Sequence, residues 1–548
     1  MKSNRRILAL VTASIANVAL ALAGCTDATP PPASNNKTGT ETSELTGPHA
    51  DPNRKLAPVS HEITHDGKVR VTQLDVGNVK MNGFVAPVRG VLVTPEGTPE
   101  AGKAAPLILF SHLRAPNCAD AMFAFPCKGK KEGTRFDQGM AYFGEALAER
   151  GYAVLIPDLT PLWVSGDESK PYSQKDMWTA IVKKLRDRIA AGASGSKDLG
   201  SDYKATLDFD QVGLVFHSRS AMMVDAAQHL FGKDKLMSAM GYGGSYNAKD
   251  ITDIDPAGPD MPTFLVNGDE DGDVERAANW WLTEHVQQKR KTPIVSVQIP
   301  GYGHMFINRQ LQTKEADDRK ACSVIACPSS ADHEKLLINS AIDWFDATIR
   351  GAETSIPLKA HAPIPATYAG TDVRWLVATQ GENVTRIPAS SFTGIPGKEA
   401  TLCGHVDPMV PTEGKDICPE PENGVITPVS QLMHTTGAHA DTHIDNAQEV
   451  ALHILPAGHD AQGAGPIVTL TLTLANGQQW SKELSAIDPA VGKALASMKT
   501  EASNGEYLIS TIRVPLPADV FKGVAVTGVS IESRGVPVEM RGVDVVGE

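Results

Sequence analysis

Three stretches of this sequence end in residue types suited to acyl transfer. The apolar run Val212 to Phe216 leads into His217-Ser218-Arg219-Ser220-Ala221 and then a helix-compatible segment, Met222 to Phe231. A serine on a tight strand-to-helix turn is placed as a nucleophile, and small residues at 220 and 221 let the following helix pack close to the strand. Ser220 is the second nucleophile candidate on the same turn. Past the next core strand but one, Thr263 to Val266, lies Asn267-Gly268-Asp269-Glu270-Asp271-Gly272-Asp273-Val274. The spacing from Gly268 through Asp271 to Val274 makes Asp271 the favoured acid, with Asp269 and Asp273 as competitors. A calcium loop is the rival chemistry here, but the twelfth position counted from Asp269 is Trp280 and not glutamate, so the EF-hand pattern fails. Finally, Ile294 to Ile299 is followed by Gly301-Tyr302-Gly303-His304, a histidine just past the last core strand. Ser218, Asp271 and His304 thus occur in the chain order of nucleophile, orienting acid and base.

Such a constellation needs strands to carry it. Between about residues 105 and 351, short apolar runs alternate with helix-period segments, which predicts strand-helix-strand units in a mostly parallel sheet. The strands are Leu107 to Phe110, Ala153 to Ile156, Val212 to Phe216, Thr263 to Val266 and Ile294 to Ile299, with Val69 to Leu74 and Gly90 to Thr94 as antiparallel leaders. Continuous apolar strands of this kind are buried on both faces. Helices are predicted over Phe136 to Arg150, ending at Gly151, over Gln174 to Ala191, and over Ala331 to Arg350, ending at Gly351. In the second, Met177, Ile181, Leu185 and Ile189 fall at intervals of four, one stripe able to lie on the sheet.

The order, spacing and strand context resemble the α/β-hydrolase superfamily across about residues 60 to 351. Within it, Phe110-Ser111-His112 after a buried strand and His217-Ser218-Arg219 at the elbow look like the dienelactone-hydrolase, chlorophyllase and platelet-activating-factor-acetylhydrolase branch. Those relatives commonly show Ser-His-Gly and Gly-His-Ser-Arg-Gly. The resemblance implies oxyanion donors at the N–H groups of Leu113 and Arg219, hydrolysis of carboxylic esters through an acyl-enzyme, and no cofactor. Phe216 and Ser220 stand where the elbow glycines are expected, and Leu113 stands where Ser-His-Gly has its glycine. A catalytically lapsed, binding-only member of the fold stays open on those departures. The stretch Ala115 to Arg135 would border the pocket, with Phe123 and Phe125 either forming an acyl-binding wall or buried in a surface loop.

With 548 residues the chain is long enough for two or three folding units. The catalytic domain is expected over about residues 53 to 352. Prolines 357, 363 and 365 then form an extended connector. From about residue 366 to 548 the pattern becomes all-β. Val468, Leu470, Leu472 and Leu474 alternate with threonines up to the Asn476-Gly477 turn before Gln478 to Leu484, the strongest hairpin signal in the chain. Further strands are predicted at Tyr507 to Val514, Val524 to Glu532 and Val536 to Val546, giving an antiparallel sandwich. Its rhythm resembles the jelly-roll of galactose-binding-like modules, which implies a glycan as a candidate ligand and a carbohydrate esterase as an alternative function. His434, His439, Asp441, His443 and Asp445 crowd one polar stretch of it, read as a solvated loop in preference to a metal site.

The first residues address the chain. Lys2, Arg5 and Arg6 precede an apolar run from Ile7 to Ala23 that closes on Leu22-Ala23-Gly24-Cys25, the pattern of a signal peptide over residues 1 to 24. The box resembles the bacterial lipobox, which implies lipid on Cys25 and a place in the cell envelope, with the outer membrane favoured by Thr26. An uncleaved anchor is the alternative. Residues 25 to 52 are too polar to offset their ordering entropy and read as a tether. The six further cysteines fall in close pairs, Cys118 with Cys127, Cys322 with Cys327 and Cys403 with Cys418, which suits local disulfides in an oxidising compartment. Zinc is the competing reading, and no Cys-x-x-Cys spacing supports it. A formal net charge of -13 disfavours partners bound through their phosphates, so nucleic acid is excluded as an expected ligand.

Overall fold

The computed structural model describes residues 49–97, 104–119, 123–164, 172–195, 197–245, 260–274, 290–313, 316–319, 321–323, 326–381, 383–403, 431–456, 465–484 and 509–548. The expected signal peptide, Cys25, most of the tether and Cys418 lie outside these residues.

Ten strands form the main sheet: β1 (Ser60–Thr64), β2 (Val69–Met81), β3 (Phe84–Pro95), β4 (Ala105–Ser111), β5 (Ala153–Pro157), β6 (Leu207–His217), β7 (Leu236–Tyr242), β8 (Thr263–Gly268), β9 (Ile294–Ile299) and, after the small hairpin β10 (Thr367–Tyr368) and β11 (Thr371–Asp372), β12 (Arg374–Ala378). Their order is β1-β2-β3-β5-β4-β6-β7-β8-β9-β12. An antiparallel leading hairpin, a crossed pair β5-β4 and a parallel run to β9 make this the strand order of the α/β-hydrolase fold.

Alternate residues of each central strand face two separate cores. Leu107, Leu109, Leu214 and Phe216 enter one with Met177, Ile181, Leu185 and Ile189 of α2 (Gln174–Ala193). Ile108, Phe110, Val215 and Val297 enter the other with Phe143 and Leu147 of α1 (Ala141–Glu149). This double burial is why the strands read as continuous apolar runs. The last helix of the layer, α4 (Ser330–Arg350), begins in a capping box of Ser329 and Asp332 and stops at Gly351 in the left-handed region.

Among the strands of this sheet that the pattern did not mark are β1 and β7. β1 is exposed almost throughout, and β7, Leu-Met-Ser-Ala-Met-Gly-Tyr, lacks the β-branched residues that mark a strand. It is held because it is buried between β6 and β8.

The all-β unit consists of two antiparallel sheets around a third core. One is β15 (Ala400–Cys403), β16 (Leu432–Thr435), β23 (Val538–Val546), β18 (Glu449–Pro456) and β21 (Ser510–Pro515), with β13 (Val384–Pro388) also on β23. The other is β14 (Thr393–Gly394), β17 (Gly437–Ile444), β22 (Val526–Arg534), β19 (Ile467–Leu474) and β20 (Gln479–Leu484). The hairpin β19-β20 turns at Gly477, φ +81°. Strand β12 lies within the range read as the accessory unit, yet it pairs with β9 in the hydrolase sheet, Arg374 opposite Gln298. The Val377 N–H then donates to Thr511 Oγ1 of β21 at 2.9 Å, so the two units share a seam.

The polar stretch carrying the histidines is a correction. Leu432–Thr435 and Gly437–Ile444 are strands, where a loop is the sequence expectation. Small residues, Ala438 and Ala440, fill inward positions and hide the alternation. His434 approaches Glu539 and Glu399 at 3.7 and 4.0 Å, while His439 bonds Ser530 and Asp441. Among the described residues no group of three metal-ligating side chains converges.

Candidate active site

The elbow follows from β6. Its last residue, His217, is extended, and Ser218 then takes φ +59°, a left-handed value that costs a non-glycine residue energy and turns the chain sharply. A short helix, Ser218–Met223, continues into α3 (Val224–Phe231). Two sets of contacts hold the turn. The Ser245 N–H donates to the Ser218 carbonyl at 3.0 Å. Below it runs a buried chain in which Trp178 Nε1 donates to Ser111 Oγ (3.0 Å), Ser111 Oγ to Ser220 Oγ (3.0 Å), and Ser220 Oγ to the His112 carbonyl (2.6 Å). Ser220 therefore ties the elbow to the end of β4. Its hydroxyl proton is directed at a carbonyl.

The bulky Phe216 is accommodated by a glycine on the neighbouring strand. Gly241 is its register partner on β7, and a Cβ built there would meet Phe216 Cε2 at 2.2 Å. The glycine absent from one strand of the elbow is present on the other. No sequence reading links the two, because nothing in the chain announces that 216 and 241 are neighbours.

Beyond β8, Asp271 accepts the N–H groups of Asp273 (3.1 Å) and Val274 (2.9 Å) on Oδ1. That leaves Oδ2 for His304 Nδ1, at 2.8 Å. Both side chains are buried, at 3% and 0% exposure. Room for the pair again depends on glycine, since a Cβ at Gly243, φ +49°, would lie 2.6 Å from His304 Nδ1 and 2.7 Å from Asp271 Oδ2. The competitors divide. Asp269 accepts the Gly301 N–H at 2.5 Å, fastening the β8 loop to the β9 loop. Asp273 lies on the opposite side of the ring from Asp271, its Oδ2 3.5 Å from His304 Nε2.

Three further side chains support His304. Asp318 accepts the His304 N–H (2.9 Å) and the Gly272 N–H (2.8 Å), joining both candidate loops through one carboxylate. Burial, reinforced by the Asp271 charge, raises its carboxyl to about 6. His333 on α4 accepts the Gly303 N–H at 3.1 Å and donates from Nδ1 to the Ser329 carbonyl, and burial holds it down to about 4. The His217 ring lies 4.6 Å from the His304 ring and donates to the His304 carbonyl at 3.0 Å. Burial holds His217 well below the ordinary histidine range, so it stays neutral. This contact seats the residue before Ser218 directly on the imidazole. Burial opposes charge on His304, but Asp271, Asp273 and Asp318 outweigh it and raise the ring to about 9. His304 Nε2 is buried without a hydrogen-bond partner.

At the end of β4, Leu113 is buried with Ala115 and Phe136. The preceding ring is fixed, His112 Nε2 accepting the Leu159 N–H (2.8 Å) and Nδ1 donating to the Leu113 carbonyl (2.9 Å). Arg219 is the second residue of the short helix that starts at Ser218. The loop that follows carries the Cys118–Cys127 disulfide. Of its two aromatics, Phe125 packs into a separate cluster with Ala50 and Val85, and Phe123 lies under the Arg114 guanidinium at 4.0 Å. A second disulfide, Cys322–Cys327, follows Asp318 and Arg319, and Cys403 is disulfide-bonded.

No family profile and no curated protein sequence matches the chain. Solved structures do match. An acylaminoacyl peptidase in complex with Z-Gly-Gly-Phe-chloromethyl ketone is 12% identical over 52% of this chain and 43% of its own, with a TM-score of 0.33. A ferulic acid esterase from Streptomyces cinnamoneus is 14% identical over 57% of this chain and 95% of its own, TM-score 0.32. A rice cell wall degrading esterase, LipA, from Xanthomonas oryzae is 13% identical over 54% and 99%, TM-score 0.33. The match spans less than half the length of the peptidase, 43%. Strand order, the Ser218 elbow and the loops after β8 and β9 define a protein of the α/β-hydrolase fold with an appended all-β unit.

Proposed function

We propose that this chain is an exported serine hydrolase that cleaves carboxylic esters. In this reading His304 takes the proton of Ser218, Ser218 attacks the ester carbonyl, and the N–H groups of Leu113 and Arg219 receive the oxyanion. Water then releases the acid from the acyl-enzyme. Asp271 holds the His304 tautomer that leaves Nε2 to face the nucleophile. The observation that carries the reading is the Asp271–His304 pair at 2.8 Å, with the His304 ring 4.6 Å from that of His217, the residue before a serine held at φ +59°. Such a strained dihedral is maintained only where surrounding contacts over-determine it, as the Ser245 and Ser220 bonds do here. The order of events needs no cofactor. Lipid attachment at Cys25 would hold the enzyme to the cell envelope, and the all-β unit would present a glycan-bound ester, making a carbohydrate esterase the second form of the same proposal.

The test is labelling of the purified chain with a fluorophosphonate, followed by peptide mapping, with Ser218→Ala as control. An adduct on Ser218 that the variant lacks is the expected result, and an ester panel graded by acyl length then defines the substrate. A folded protein that gives no adduct at any pH would mark a lapsed site and overturn the reading.

A further inference from the structure

The ring of His304 has two working faces, and the mechanism uses a carboxylate on only one of them. Asp271 holds Nδ1 at 2.8 Å. Nε2, the atom that must accept the Ser218 proton, has the Asp273 carboxylate at 3.5 Å. The loop fixes that placement, because the Asp273 N–H is itself bonded to Asp271 Oδ1 at 3.1 Å. Unlike Asp271, at 3% exposure, the Asp273 side chain is 25% exposed. We propose that Asp273 is a second positioning carboxylate for His304, one that stabilises a proton on Nε2 and so withholds the base from Ser218 in the resting enzyme.

This inference rests on the serine hydrolase reading and adds a control to it. The charged groups around the ring all bear on the balance. Asp271 and Asp273 approach from the β8 loop and Asp318 from the segment before the Cys322–Cys327 disulfide, three carboxylates around one imidazole. His217 from the end of β6 and Tyr242 from β7 also face this cluster, and burial keeps both neutral. Burial raises the Asp273 carboxyl above its ordinary value and Asp271 adds to the rise, while His304 and Arg114, on the β4 loop, oppose it. An imidazolium whose Nε2 proton is held by the charge of Asp273, 3.5 Å away, cannot accept a second proton from Ser218 Oγ. Activation therefore requires that proton to leave to solvent, which alkaline pH drives, or Asp273 to turn from the ring toward Arg114. With the ring raised to about 9, the free site holds mostly imidazolium at neutral pH.

The experiment compares the full chain with Asp273→Asn, which keeps the shape and removes the charge, and with Asp273→Ser as a second variant should the first misfold. Two readouts are taken from pH 5 to about 10: the rate of fluorophosphonate modification of Ser218, and the titration of the His304 ring by nitrogen NMR. The expected result is an alkaline acid limb in the parent that moves down by about one unit in the variant, so that Ser218 labels about tenfold faster at neutral pH. The ring titration should move with it. Labelling and titration that stay unchanged, or labelling that slows at every pH while the titration is unmoved, would overturn the proposal. A ring titration that falls in protein which never labels would sustain the Asp273 pairing and sink the serine hydrolase reading instead.

Discussion

The packing of Phe216 against Gly241 makes a prediction that can be worked in numbers. Carbon atoms rest about 3.5 to 4.0 Å apart, whereas a Cβ at 241 would lie 2.2 Å from Phe216 Cε2 and 2.9 Å from Leu265 Cδ2. Gly241→Ala therefore demands a shift of about 1 Å or more by a ring that is fully buried in the sheet core. Overpacking of this kind costs about 1–3 kcal/mol. Phe216→Ala alone leaves a cavity and costs about 3–5 kcal/mol. In the double variant the new methyl enters the space the ring has vacated, so the two costs should fall short of their sum by about 1–3 kcal/mol. Urea denaturation midpoints of the four proteins measure the cycle. Fluorophosphonate labelling should slow in Gly241→Ala alone, because Phe216 stands two residues before Ser218 on the same strand. Additivity within about 0.5 kcal/mol would refute the idea that Gly241 supplies the room an elbow glycine would have given.

Three further outcomes follow from the same contacts. Ser220→Ala should lose about 1–2 kcal/mol, by leaving the His112 carbonyl without its donor, yet still label at Ser218; loss of the adduct would favour Ser220 as the nucleophile. Asp318→Ala strips the acceptor from two part-buried N–H groups, of Gly272 and His304, and should cost about 1–3 kcal/mol for each with slower labelling, while Asp318→Asn, which keeps an oxygen, should recover much of both. His333 carries a pH dependence. Its folded value of about 4 lies below the 6.5 of an ordinary histidine, so the unfolded chain binds the proton first. Stability contributed by the neutral ring is complete above pH 6.5 and is lost as pH falls toward about 4, by up to roughly 3 kcal/mol. Denaturation midpoints across that window should fall more steeply in the parent than in His333→Asn, and equal slopes would count against the assignment.

The sequence by itself carried the architecture of the sheet and the identity of its loop residues. Continuous apolar runs marked β4, β5, β6, β8 and β9 because strands buried on both faces have no polar side to alternate with. The order Ser218, Asp271, His304 was legible for the same reason, since each follows one of those runs by a few residues. The exact hairpin at Asn476-Gly477 was legible because its turn chemistry is local. What only the tertiary structure decided were relations between residues distant in the chain. β7 is a strand because its neighbours bury it, and its Gly241 and Gly243 make room for Phe216 and for the Asp271–His304 pair. β12 belongs to the hydrolase sheet because β9 offers an open edge, whatever the chain pattern around residue 366 suggests. Asp318, His333 and His217 surround His304 through contacts that span 14, 30 and 87 positions of sequence. Periodicity and turn motifs encode short-range backbone preference, while packing and electrostatics at a site depend on which surfaces meet, and that is settled only when the chain has folded.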